Sequence, residues 1–221
     1  MRDEMLHTKL LAAQVIANLS NSLRHELALP PHHHAIGLVS ADSDDVTYIA
    51  LDEATKSADV SVVYAKSLYA GAKNASTRLA GEVIGILSGP NPDEVISGLT
   101  AAEHVIGSLG FYKADPQGEI IYLSHCVASA GSFLSQTAGV PQGQALSYLI
   151  APPVEALVGL DAALKASDVR LASFFPPPSE TNFAGGLLTG TQSACQAACE
   201  AFSAAVKAVA QQSIIPEVAH G

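Results

Sequence analysis

Apolar residues cluster densely at 11–19 and again at 120–127, each run too short for a long helix and followed by polar turn residues, which predicts a strand at both places. Residues 21–29 and 132–137 predict short helices. Residues 34–39 and 146–151 predict second strands, each preceded by Pro or Gly turn residues. A helix follows in which Leu51, Ala54 and Ala58 share one face. Residues 60–64 and 169–174 have a partly alternating pattern and predict strands, and 82–87 and 186–189 predict final core strands. The next helix opens on Asn91-Pro92-Asp93-Glu94: an Asn cap, Pro at the first helical position and Glu three residues after the cap. Val95, Leu99, Ala102, Val105, Ile106 and Leu109 then line one face, as Ala198, Phe202, Ala205, Val206 and Val209 do near the end of the chain. Residues 111–119, with Pro116 and Gly118, read as a connection.

The pattern occurs twice. Leu51-Asp52-Glu53-Ala54-Thr55-Lys56-Ser57-Ala58-Asp59-Val60 returns as Leu160-Asp161-Ala162-Ala163-Leu164-Lys165-Ala166-Ser167-Asp168-Val169, with six of ten positions identical at an offset of 109. Gly85-Ile86-Leu87-Ser88-Gly89 returns as Gly186-Leu187-Leu188-Thr189-Gly190 at an offset of 101, so the first copy has a loop eight residues longer. Each copy is the size of a small domain, too long for a solenoid unit. The expected architecture is α/β (α+β): two tandem domains, 1–110 and 111–221, each a small sheet with about four strands and helices on one face.

Composition narrows the function. Hydrophobic residues make up 48% and charged residues 14% of the 221, less charge than a solitary globular chain usually carries, which points to a surface largely covered by other protein. The net charge of −10 and only 11 scattered basic residues disfavour nucleic acid and suit a cationic or neutral small ligand. No apolar run is long enough to span a bilayer and no secretory leader pattern opens the chain, so a cytoplasmic protein without membrane contact is expected.

Catalytic motifs are lacking. Cys195 and Cys199 sit one helical turn apart with no nearby His or Cys to complete a zinc site, and read as small buried thiols. His125 and Cys126, adjacent on a strand, point to opposite faces. A bridge from Cys126 to a helix cysteine depends on geometry. His32-His33-His34 after two prolines predicts an exposed turn. Gly185-Gly186-Leu187-Leu188-Thr189-Gly190-Thr191 lacks the lysine of a phosphate loop and reads as a strand closed by a turn. Two acidic features remain. Asp42-Ser43-Asp44-Asp45 precedes the duplicated helix, where the second copy has Ala151-Pro152-Pro153-Val154; helix capping is one reading and cation binding the other. Glu82 stands alone in an apolar strand entry, either exposed there or in need of a partner.

The residues 37–48, 51–56, 64–71, 81–83, 148–153 and 176–182 resemble the ethanolamine-utilisation L-type shell proteins of bacterial microcompartments, a likeness running from about Leu29 to Ala208. The resemblance implies two circularly permuted shell domains in tandem. Three chains would form a homotrimeric, six-domain hexagonal tile that packs with other shell proteins of the compartment. It implies a gated central pore for small-molecule transport, ringed by the loops at Ser67, Leu68, Tyr69, Ala70 and Gly71 and at Pro178, Ser179, Glu180, Thr181, Asn182 and Phe183. It also implies a smaller pore in each subunit that binds ethanolamine at Asp44, Asp45, Glu82 and Phe111. Members are associated with cobalamin near the central pore; the residues themselves call for no cofactor and no metal. The alternatives are a shell protein of a related metabolosome, a small-molecule-binding trimeric regulator, which would need an effector pocket or basic phosphate site, and an enzyme subunit, for which no nucleophile, base and orienting group converge.

Overall fold

The computed structural model describes residues 4–68, 82–177 and 182–211. It divides into two compact units. One holds 6–110 together with Ala128–Gln144; the other holds residues 4–5, Phe111–Val127 and the chain from Ala145 onward. A segment from the second half of the sequence thus completes the core built by the first half.

In the first unit the chain runs through strand β2 (Leu10–Ile16), helix α1 (Asn21–Glu26), β3 (Ala35–Ala41), α2 (Asp44–Ser57), β4 (Ser61–Leu68), β5 (Glu82–Gly89) and α3 (Pro92–Ser108), joined by α4 (Ser132–Ala138). β1 (Met5–His7) precedes β2, where the chain passes from one unit to the other. The sheet is antiparallel, in the order β2-β3-β5-β4. α2 and α3 cover one face over Val39, Leu51, Leu87, Val95 and Ile106. The approach is close: a Cβ on Gly85 would lie 2.7 Å from Leu51 Cδ1, so a larger residue there would have to push the Leu51 side chain aside. A second cluster of Leu19, Ile36 and Ile86 collects Leu27, Leu29 and Val63. The Asn91 side chain accepts the Glu94 N–H at 3.0 Å, as the cap signature predicts. Glu94 does not return to the cap; its Oε2 accepts the Asp59 N–H at 2.7 Å and pins the turn after α2.

The other unit follows the same order with β6 (Gly110–Lys113), β7 (Ile121–Val127), β8 (Ala145–Ala151), α5 (Pro153–Ala166), β9 (Val169–Phe175), β10 (Ala184–Gly190) and α6 (Gln192–Gln211). The sheet is six-stranded, in the order β1-β6-β7-β8-β10-β9, with antiparallel pairing from β6 through to β9. Tyr122, Leu149, Leu188, Phe202 and Val206 form the core. Gly159 lets the Phe202 ring seat against α5, since a Cβ there would meet it at 2.6 Å.

Two expectations change. Residues 111–119 are not a plain connection: β6 pairs with β7 through Tyr112↔Tyr122 and Lys113↔Ile121. Asp115 builds the hairpin turn by accepting the N–H groups of Gln117, Glu119 and Ile120, and Gly118 supplies a φ of +69°. The first long loop begins later than the pattern suggests, because β4 continues through Ala65 to Leu68. The α+β class and the repeated small sheet with helices on one face stand as read; the first sheet has the expected four strands, and the second is larger because β6 extends it past β7. Among the described residues no helix is long and apolar enough to cross a membrane.

Candidate functional site

The acidic cluster forms where β3 ends, α2 begins and β5 begins. The β3–β5 register runs to Ala41↔Val83, which brings Asp42 and Glu82 to the same end of the pair. Ser43 caps α2 by accepting the Val46 N–H at 3.4 Å, while Thr47 Oγ1 donates to the Ser43 carbonyl at 2.6 Å. Asp44 and Asp45 occupy the first turn, where the helix dipole favours negative charge. The Asp44 Oδ1 accepts the Asp45 N–H at 2.8 Å. Asp42, Asp44 and Asp45 are all buried, and Glu82 is half-buried.

Asp42 is the deepest member of the group. Its Oδ1 accepts the Lys9 N–H at 2.7 Å and its own N–H donates to the Lys9 carbonyl at 3.1 Å, stitching the approach to β2 onto the cluster. Burial raises its pKa above the usual carboxylate value; the Lys9 N–H opposes that rise and the nearby Glu82 charge adds to it.

The second copy lacks these acids. β3 and α2 are joined by Asp42 and Ser43, whereas β8 and α5 are joined by Pro152 alone. At the repeat offset that aligns β5 with β10, the place of Glu82 is taken by Phe183.

Phe111 lies in the other compact unit, fully buried in β6, and stacks on Phe183 with ring centroids 5.6 Å apart and planes 24° apart. Of the residues expected around the central pore, Ser67 and Leu68 close β4, Asn182 has a φ of +65°, and Phe183 leads into β10. Tyr69, Ala70, Gly71, Pro178, Ser179, Glu180 and Thr181 lie outside the described residues.

Other candidates reduce to structure. The three cysteines are free; Cys195 and Cys199 are buried, and burial pushes the Cys199 thiol up to about 12. No group of His, Cys, Asp and Glu able to hold a metal is formed among the described residues. The triple histidine is only partly an exposed turn. His33 is buried and its Nδ1 lies 2.7 Å from Ser88 Oγ, because the strand entry at Ala35 turns this one ring into the sheet.

Residues 35–113 match the model of the BMC domain, which places the duplicated α+β module among bacterial microcompartment proteins. The chain is 56% identical to the bacterial microcompartment shell protein EutL of Clostridium perfringens (strain 13 / Type A), over 97% of this chain and 99% of that one. It is 50% identical to EutL of Escherichia coli (strain K12), over 96% and 97% of the two chains. The crystal structure of the ethanolamine utilization protein EutL from Leptotrichia buccalis C-1013-b superposes with a TM-score of 0.92 at 56% identity, covering 98% of this chain and 100% of that one. A trimeric shell protein, PduB, shares the fold at a TM-score of 0.73 and 18% identity, over 90% and 88% of the two chains. The chain belongs to the EutL family of bacterial microcompartment shell proteins, and is a structural component rather than an enzyme.

Proposed function

We propose that three copies of this chain close into a six-domain ring, a hexagonal tile of a cytoplasmic compartment that handles ethanolamine. The ring positions are supplied by 1–110 and 111–221 of each copy. The observation that carries this reading is the repeated order of strand, helix, strand, helix, strand, strand, helix along the chain. A doubled module lets an odd number of chains fill an even number of places around an axis. The loops that follow β4 and β9 hold equivalent places in the two copies, as expected of segments that share one central opening. The long first loop, rich in Gly and Ala, suits movement that opens and closes it.

The ligand reading is that Asp44, Asp45 and Glu82, with Phe111, bind an amino-alcohol cation such as ethanolamine and bias the central pore toward one state. It is supported by the buried carboxylates at one end of α2 and by their absence from the second copy, which the fold therefore does not need. Partners on this reading are further copies of the chain, other shell proteins and the small cation. No cofactor enters it.

Electron microscopy of the purified protein tests the assembly: hexagonal plates with a central hole, packing into sheets, are expected, and a discrete particle that never tiles refutes it. Calorimetric titration with ethanolamine tests the ligand. Asp45→Asn should weaken binding by about tenfold or more, and unchanged binding would remove the acidic cluster from the site.

A further inference from the structure

The two sheets are covered alike but differ in width. α2 and α3 lie over the four strands of the first sheet, and α5 and α6 over β7, β8, β10 and β9 of the second. β6 and β1 carry the second sheet past its helices. A cleft of about 590 Å³ opens there between α6 and the β6–β7 hairpin. That volume falls within the range of small-molecule sites, ~300–1,000 Å³.

The walls of the cleft are chemically unlike. On the sheet side Tyr112 and Tyr122 are register partners with ring centroids 5.7 Å apart. Tyr122 is buried against Phe202 of α6, at 6.5 Å, whereas Tyr112 is half-buried and keeps part of its ring open. On the helix side Gln196, Glu200, Ser203 and Lys207 form one stripe at intervals of three or four residues. Hydrogen bonds within the protein decide what this stripe offers. Ser124 Oγ and Ser203 Oγ both donate to the Cys199 carbonyl, at 2.9 and 2.8 Å. Gln196 Nε2 donates to Glu200 Oε1 at 3.1 Å. With the hydroxyl protons committed, the middle of the cleft and the end at Glu200 present acceptors. Lys207 brings an ammonium group to the other end, seven residues and about 10 Å along the helix axis from Glu200.

A matching ligand has a flat ring for the open face of Tyr112, N–H and O–H donors for the acceptors, and an anion two helical turns away for Lys207. We propose that the cleft binds a purine nucleoside monophosphate. The base stacks on Tyr112 with its exocyclic amine at Gln196 and Glu200, the ribose hydroxyls donate to Ser203, and the phosphate meets Lys207. The charges set the direction, because the reverse orientation would place the phosphate against the Glu200 carboxylate. The site lies within one compact unit and shares no residue with the acidic cluster, so it depends on neither the ring nor the amino-alcohol reading.

Met5, on β1 at the edge of the cleft, is the reporter. The chain has two methionines, Met1 and Met5, so protein labelled at the methionine methyls gives a spectrum simple enough to follow Met5 alone. Titrating the whole protein with adenosine monophosphate should shift the Met5 signal to saturation, and ribose 5-phosphate, which lacks the ring, should leave it in place. Lys207→Gln should weaken adenosine monophosphate binding at least about fivefold while changing adenosine binding less than about twofold. Ala204→Trp, at an exposed position lining the cleft, should abolish binding with the circular dichroism spectrum unchanged. A Met5 signal that does not respond to adenosine monophosphate at about 10 mM overturns the proposal. So does ribose 5-phosphate binding as tightly as the nucleotide, or a Lys207→Gln protein with wild-type affinity.

Discussion

The side chains of Phe111 and Phe183 stack at 5.6 Å, joining the strand that opens the second repeat to the residue that leads into β10. Phe111 is fully buried and Phe183 only partly so, which makes Phe183 the dependent member of the pair. Truncating it removes one aromatic contact and uncovers the other ring. Phe183→Ala should lower stability by about 1–2 kcal/mol, and Phe111→Ala by ~3–5 kcal/mol, in urea denaturation followed by circular dichroism. Equal losses would show that the two rings are not arranged in this hierarchy.

Asp52 joins α2 to α4 across a sequence separation of 79 to Gly131 and 82 to Leu134. Removing its carboxylate leaves two buried N–H donors without acceptors. Asp52→Ala should cost ~2–4 kcal/mol. Hydrogen exchange should locate the damage at residues 131–138, with protection of α3 retained. Uniform loss of protection would argue against a local cap.

His33 is held in its neutral form. Burial lowers its proton affinity, with the neighbouring His32 charge acting in the same direction, below the ordinary value near 6.5. As pH falls through that value the unfolded chain takes up a proton that the folded chain refuses, so folding loses stability from there down to the folded value. The melting temperature should drop as pH falls below the ordinary histidine value, and His33→Gln should flatten that part of the profile. An identical slope in both proteins would assign the dependence elsewhere.

The thiols should be inert in the folded protein. Cys199 is buried with its thiol pushed up to about 12, Cys195 is buried, and burial raises Cys126 as well. Iodoacetamide at neutral pH should label the native chain at least about tenfold more slowly than the chain in urea. Rapid labelling of Cys199 in the native state would contradict the packing of α6 against β7 and β8.

Much of this was legible because short-range signals agreed. The Leu-Asp-x-Ala-x-Lys repeat, the Asn91 cap and the apolar face of α3 each state their structure within a few residues. β6 was hidden because Pro116 and Gly118 mark a turn without saying that the residues before it pair with those after it. His33 looked like its neighbours because a run of identical residues carries no periodicity. The role of Asp52 is set by backbone donors some eighty positions away, and its repeat partner Asp161 has the same local sequence and the opposite surroundings. At the acidic cluster, the gap in the second copy marked Asp44 and Asp45, but the deeper Asp42 is picked out by its bonds to Lys9, which only folding brings near.

Between β3 and α2 lie Asp42 and Ser43, where the other copy has a lone proline; and where one strand begins with Glu82, its counterpart begins after Phe183. Fusing two modules into one polypeptide frees them to diverge. In the ring proposed above, six places would be filled by two unlike modules in turn, so its symmetry would be threefold rather than sixfold.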